Sequence, residues 1–221
     1  MNFILQPANY DLTDPESIPN LFLAHLELVG IVMLISLIIA IPLGILVARY
    51  RPLYLPVVTT SGILYTIPSL AAFALLIPIT KLTLATAIIP LVLYNQLVLI
   101  RNTAAAVNGV DPLLLEVGRA MGMKSWQVLF RVTLPLALPV IVAGIRIATV
   151  TTIGISTLAS LVGQRTLGDL IFQGLATGAT GDLNTVVGGA ILIAFFAIVA
   201  DLLLLVLQTA LNRGRSALSV A

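Results

Sequence analysis

Five apolar runs leave this chain few places to fold except a bilayer. They cover residues 21–48, 54–78, 82–100, 136–162 and 183–211. About 20 consecutive apolar residues cross the hydrocarbon core as a helix. A helix also satisfies its own backbone groups where no water can. The charge content agrees: only 9% of residues are charged and 59% are hydrophobic, against about 25% charged in a soluble domain. So few polar groups cannot cover a globular surface. The expected fold is an all-α membrane protein of about five transmembrane helices. Residues 1–20 are expected as a short extracytoplasmic tail, 21–212 as one transmembrane domain and 213–221 as a cytoplasmic tail.

The charges also orient the spans. Arg49 and Arg51, the stretch Arg101 to Arg131, and Arg213 and Arg215 all fall on one side of a five-span topology. The other side holds Lys81, Arg165 and most of the acids. Cytoplasmic loops collect Lys and Arg, so the N-terminus is expected outside and the C-terminus inside. The first twenty residues have no basic segment before the apolar run and do not read as a cleavable signal peptide. His25 and Glu27, at the outer end of the first span, are expected solvated in the headgroup layer. Residues 163–182 read as a Gly-rich loop with one short amphipathic piece, 167–175.

Residues 112–135 are the longest polar interruption. Asp111 is placed to cap a helix that starts with Pro112, a strong start signal. Leu113, Val117, Ala120 and Met121 then recur on one helical face. Gly122 interrupts. Ser125 is expected to cap a second short helix carrying Trp126, Leu129 and Phe130, which ends at Leu134-Pro135. This helix–turn–helix is too short and polar to cross, and it lies on the cytoplasmic side.

The spacing within it is specific. Glu116-Val117-Gly118, then Gly122 six residues after the Glu, then Val132-Thr133-Leu134-Pro135 after nine more, resembles the EAA loop of ATP-binding-cassette importer permeases. Two alanines of the family pattern are replaced here by Val117 and Gly118. Arg101-Asn102-Thr103, Val110-Asp111-Pro112, Ala143-Gly144-Ile145-Arg146 and Ile67-Pro68-Ser69-Leu70 resemble the subgroup that imports glycine betaine, carnitine or choline. The resemblance implies a methionine-permease-like fold in the plasma (cell inner) membrane. It implies that Glu116, Val117, Gly118, Arg119, Ala120, Met121, Gly122, Trp126, Leu134 and Pro135 couple to an ATPase dimer. It further implies a second permease copy, identical or related, and an extracytoplasmic binding protein. ATP and magnesium would sit on the partner ATPase, since this chain has no Gly-rich phosphate loop followed by Lys-Ser or Lys-Thr.

A quaternary amine offers no hydrogen-bond donor on its charged head and suits aromatic faces. Tyr65, Phe73 and Tyr94, with Ser69, Thr157 and Ser160, are the pathway candidates in the spans. Arg146, near the start of the fourth span, and Asp201, in the inner half of the fifth, are expected to pair structurally, because intramembrane charges need partners. No catalytic residue and no metal site is expected: there is no cysteine, one histidine and no His–carboxylate constellation. A net charge of +2 is no nucleic-acid signal. The chain is therefore not expected to be an enzyme. Two other readings stay open: a permease of this class for another solute such as an amino acid, and a secondary transporter without an ATPase.

Overall fold

The structure is a computed structural model that describes residues 3, 4, 6–176 and 182–216. Residues 177–181 of the Gly-rich loop and 217–221 of the expected C-terminal tail lie outside it. Among the described residues there is no strand.

The first span forms α1, Ile18–Arg49. The second does not form one helix. It divides into α2, Arg51–Thr66, and α3, Ser69–Thr80, which meet at 91°. The expected continuous span over 54–78 is corrected here, and the reason is Pro68. Its ring disfavours helical geometry in the residue before it, and Ile67 is extended at φ −66°, ψ 125°. Pro68 also has no N–H to continue the ladder of α2.

The third span, α4, runs Leu84–Asn108, about a third of its length beyond the apolar run. The loop carries α5, Pro112–Ala120, and α6, Ser125–Val128. A π-helical turn at Leu129–Thr133 leads into α7, Leu134–Ser156. The fourth apolar run was expected to stay helical to residue 162. It tightens instead into a 3-10 segment, Thr157–Val162, and stops at Gly163, whose φ of 80° is left-handed. The short amphipathic piece is α8, Gly168–Ala176. The last span is α9, Leu183–Ser216. Among the described residues four helices are long and apolar enough to cross a membrane, and the bent pair α2–α3 gives five if it counts as one span.

The centre of the bundle is α4, which packs on α1, α2, α3 and α7; α7 in turn carries α9, and α8 rests on α9. Two glycines allow α4 its close neighbours. A Cβ at Gly44 of α1 would lie 2.5 Å from Thr103 Cβ, and one at Gly144 of α7 would lie 2.5 Å from Asn102 Cβ. Small residues at such crossings let membrane helices gain dispersion contacts that lipid cannot match. The three helices are also joined by polar side chains. Asn95 of α4 donates from Nδ2 to Thr152 Oγ1 of α7 at 2.9 Å and to Ser36 Oγ of α1 at 3.3 Å. All three residues are buried.

Candidate functional site

The interhelical loop is stiffened by local bonds its sequence encodes. Asp111 Oδ1 accepts the Leu113 N–H at 2.9 Å, which caps α5. Its other end closes with Met123 N–H donating to Gly118 O at 3.1 Å and Gly122 N–H to Arg119 O at 2.9 Å. That pair of bonds is the Schellman arrangement, and it needs a left-handed residue. Gly122 supplies it with φ +81°. The expected cap on α6 moves by one residue. Lys124 is the capping position, and its N–H donates to Gln127 Oε1 at 2.8 Å. Ser125 is the first helical residue and has no capping bond. Leu134 N–H then reaches back to Leu129 O, five residues earlier. The wide turn comes just before Pro135, which cannot donate to the carbonyl four residues back.

These bonds sort the loop into two faces. Gly118 and Val128 are buried beneath it. Outward lie Leu113, Val117, Met121, Trp126 and Phe130, with Met121 72% and Trp126 56% exposed. Glu116, Arg119, Ala120 and Lys124 are exposed among or around them. Leu134 is half-buried and Pro135 exposed at the root of α7. Between the loop and the ends of α1 and α4 is an open cavity of about 600 Å³, lined by Arg49, Val107, Pro112, Arg119, Trp126 and Leu129 among others. Exposed apolar patches on a rigid mount mark interaction sites.

The pathway candidates do not come together as one group. Tyr65 and Tyr94 do: their rings meet edge to face with centroids 5.8 Å apart, and the Tyr94 hydroxyl donates to Ile67 O at 2.8 Å. Ser69 begins α3, just past the bend. Phe73 is fully buried in the core with Val32, Leu91 and Ala159. Thr157 and Ser160 lie in the 3-10 segment, where the Thr157 hydroxyl donates to Gly154 O and Ser160 Oγ is 2.7 Å from Thr166 Oγ1.

Arg146 sits at the middle of α7, further into its span than expected. It donates from Nε to Asp201 Oδ1 at 2.9 Å and from Nη2 to Oδ2 at 2.8 Å; Nη1 donates to Gln208 Oε1 at 2.9 Å. The guanidinium is thus held at every donor nitrogen by α9.

His25 departs furthest from expectation. It is not solvated beside Glu27 but completely buried, while Glu27 is exposed. The signal was present: Leu21, His25, Leu28 and Val32 follow helical spacing, and all four are buried. The Leu167 N–H donates to Nδ1 at 3.2 Å. A backbone N–H can only donate, so the ring hydrogen is on Nε2. Nε2 faces Ser156 Oγ at 2.7 Å and Ile153 O at 3.2 Å, and Phe196 packs edge-on at 5.5 Å.

A multi-span bundle with a rigid, apolar-faced loop at one end is the build of a membrane transport subunit. The chain belongs to the family of binding-protein-dependent transport system inner membrane components, whose model matches residues 40–216. It is a multi-pass inner-membrane protein. It is 40% identical over 212 residues to the carnitine transport permease protein OpuCD of Listeria monocytogenes, covering 96% of this chain and 94% of that one. It is 38% identical over 213 residues to the osmoprotectant import permease protein OsmW of Salmonella typhimurium, covering 94% and 98%. It is 38% identical over 212 residues to the choline transport system permease protein OpuBD of Bacillus subtilis, covering 96% and 93%. Its fold is that of the MetNI methionine ABC transporter in inward-facing conformations, with a TM-score of 0.75, 24% identity, and 85% and 93% of the two chains covered.

Proposed function

We propose that this chain is the permease subunit of an ATP-driven importer for a quaternary-amine osmoprotectant of the glycine betaine, carnitine or choline type. The loop is the observation that carries the reading. Its outward apolar face has no partner within the described residues, and its caps fix the shape in advance. Met121, Trp126 and Phe130 dock on an ATPase dimer, with Glu116, Arg119 and Lys124 at the rim. Closing of the ATPases on ATP then moves α4 and α7, which leave the loop directly. The pathway opens alternately to the two sides between this chain and a second permease copy. An extracytoplasmic binding protein delivers the amine on the side of the N-terminus. The names of relatives at about 40% identity support the cargo class.

The test is reconstitution of the chain with its ATPase and binding protein in liposomes. Uptake of radiolabelled glycine betaine, carnitine or choline is expected only with ATP and all three components. A cysteine at Met121, exposed and outside the left-handed position, is expected to crosslink to the ATPase. Uptake that persists without the ATPase would make the chain a secondary transporter, and uptake confined to amino acids would keep the class and change the cargo.

A further inference from the structure

The break in the second span joins several features that suit a cation. α2 spends sixteen residues, about 24 Å, reaching the break from Arg51. Tyr94, bonded to Ile67 at the bend, is ten residues into α4, or about 15 Å. The bend thus lies well inside the apolar layer. Non-helical backbone at that depth is tolerated only where protein buries it or it lines a cavity. The carbonyl end of α2 is the negative pole of its helix dipole, and it stops here. In the crook of the bend is an apolar cavity of about 150 Å³, walled by Leu64, Ile67, Ala72, Leu75, Pro90 and Tyr94 among others. That is several times the roughly 30 Å³ share of one water molecule.

Tyr65 stands on the last turn of α2 with its ring edge to face against Tyr94 and 41% of its surface exposed. Among the described residues its hydroxyl makes no hydrogen bond. A phenol at mid-depth without a partner is poorly placed against lipid tails. It fits a wet passage or a face shared with the second copy. No acidic residue occurs between Glu27 and Asp111, so no carboxylate of α2, α3 or α4 can trap a cation there. What remains for a cation is aromatic faces and carbonyl dipoles, which hold weakly and release readily.

We infer that Tyr65 and Tyr94, at the Ile67–Pro68 bend, form a mid-membrane transit site for the quaternary ammonium group of the substrate. The inference rests on the amine reading given above. The open Tyr65 ring takes the charge by cation–π attraction, and the carbonyl end of α2 adds negative potential. Tyr94 holds the bend and the Tyr65 ring in place.

The experiment uses the complete importer in liposomes, with transport and ATPase rates measured together on choline and glycine betaine. Tyr65→Phe and Tyr65→Trp keep a ring and are expected to transport within about twofold of the parent. Tyr65→Leu and Tyr65→Met are expected to lose about thirtyfold in substrate moved per ATP, the size of a desolvated cation–π contact. ATPase stimulation by the loaded binding protein is expected to stay unchanged in all four, which reports assembly. If Leu does not assemble, Met is read in its place. Parent-like transport per ATP in the non-aromatic variants, or equal losses across all four, would overturn the transit site and leave the importer reading intact. A parent that transports no quaternary amine would remove the importer reading itself, and this inference with it.

Discussion

His25 Nε2 lies 2.7 Å from Ser156 Oγ, across the buried contact between α1 and the end of α7. The same ring accepts the Leu167 N–H on its other nitrogen. One side chain thus ties α1, α7 and the segment before α8, with Phe196 of α9 against its face. The two partners are not equivalent. Loss of the ring strands a buried N–H at Leu167, which costs about 1–3 kcal/mol. Loss of the Ser156 hydroxyl leaves Nε2 with Ile153 O at 3.2 Å, so about 0.5–1.5 kcal/mol is at stake. His25→Leu is therefore expected to lower the thermal midpoint of the detergent-solubilised protein more than Ser156→Ala does. The reverse order would show that the Leu167 bond carries little.

Arg146 and Asp201 form a two-bond pair between the middles of α7 and α9. An unpaired charge at that depth is expensive. Arg146→Asp alone and Asp201→Arg alone are each expected to reduce membrane expression sharply. The double exchange is expected to recover a clear part of it, read by quantitative immunoblot of membrane fractions. Gln208, which accepts from Nη1, limits full recovery because its amide could bond a carboxylate through its N–H groups but an aspartate on α7 falls short of the guanidinium's reach.

Gly118 and Gly122 are four residues apart and are expected to respond to alanine with opposite signs. A Cβ at Gly118 would meet Met123 and Val128 at 3.6 Å, ordinary contact distance, in the interior of α5. Alanine there is expected to stabilise by up to about 1 kcal/mol through helix propensity. Gly122 has open space around a Cβ but a φ of +81°. Alanine there is expected to cost about 1–2 kcal/mol. Urea titration of the purified protein distinguishes the two.

Trp126 is 56% exposed on the loop and lines the cavity beneath it. Large aromatic side chains dominate the energies of protein interfaces, at about 2 kcal/mol or more when truncated. Trp126→Ala is expected to leave thermal stability of the isolated chain within experimental scatter. It is expected to weaken binding to the ATPase about thirtyfold. An unchanged affinity in a pull-down titration would remove Trp126 from the docking face.

Asp169, in the first turn of α8, has its carboxyl raised above the ordinary aspartate value of 3.8, chiefly by burial, against the opposing bonds from Ser160 and Thr166. A raised folded-state pKa means that the charged form opposes folding. The penalty is absent below the ordinary aspartate range, grows as pH rises through it to the raised value, and is constant above. Asp169→Asn keeps an acceptor for the Thr166 N–H. It is expected to raise the thermal midpoint at neutral pH and to lose that advantage as pH falls toward 3.8.

Much of the loop was legible before any tertiary contact was known. Asp111, Pro112 and Gly122 act within a few residues of themselves, so their capping and turn chemistry is local and spelled in order along the chain. The one slip, Ser125 for Lys124, came from reading a hydroxyl as the cap. The Gln127 side chain reaching back to a backbone N–H does that work. The second span was misjudged because apolar length says that a segment belongs in the membrane, not that it crosses straight. Pro68 marked a possible break, and only the Tyr94 bond to Ile67 shows where the freed carbonyl goes.

By itself the sequence determined the solvent, the number of apolar runs, the loop and its family, because each follows from composition or from bonds within one turn of helix. Tertiary structure alone decided the fate of His25, the depth of the Arg146–Asp201 pair and the meeting of Tyr65 with Tyr94. Those residues are 29 to 171 positions from the groups they touch. Whether a polar side chain in an apolar helix faces headgroups or a buried partner depends on which helix packs against it, and α4 and α7 make that choice.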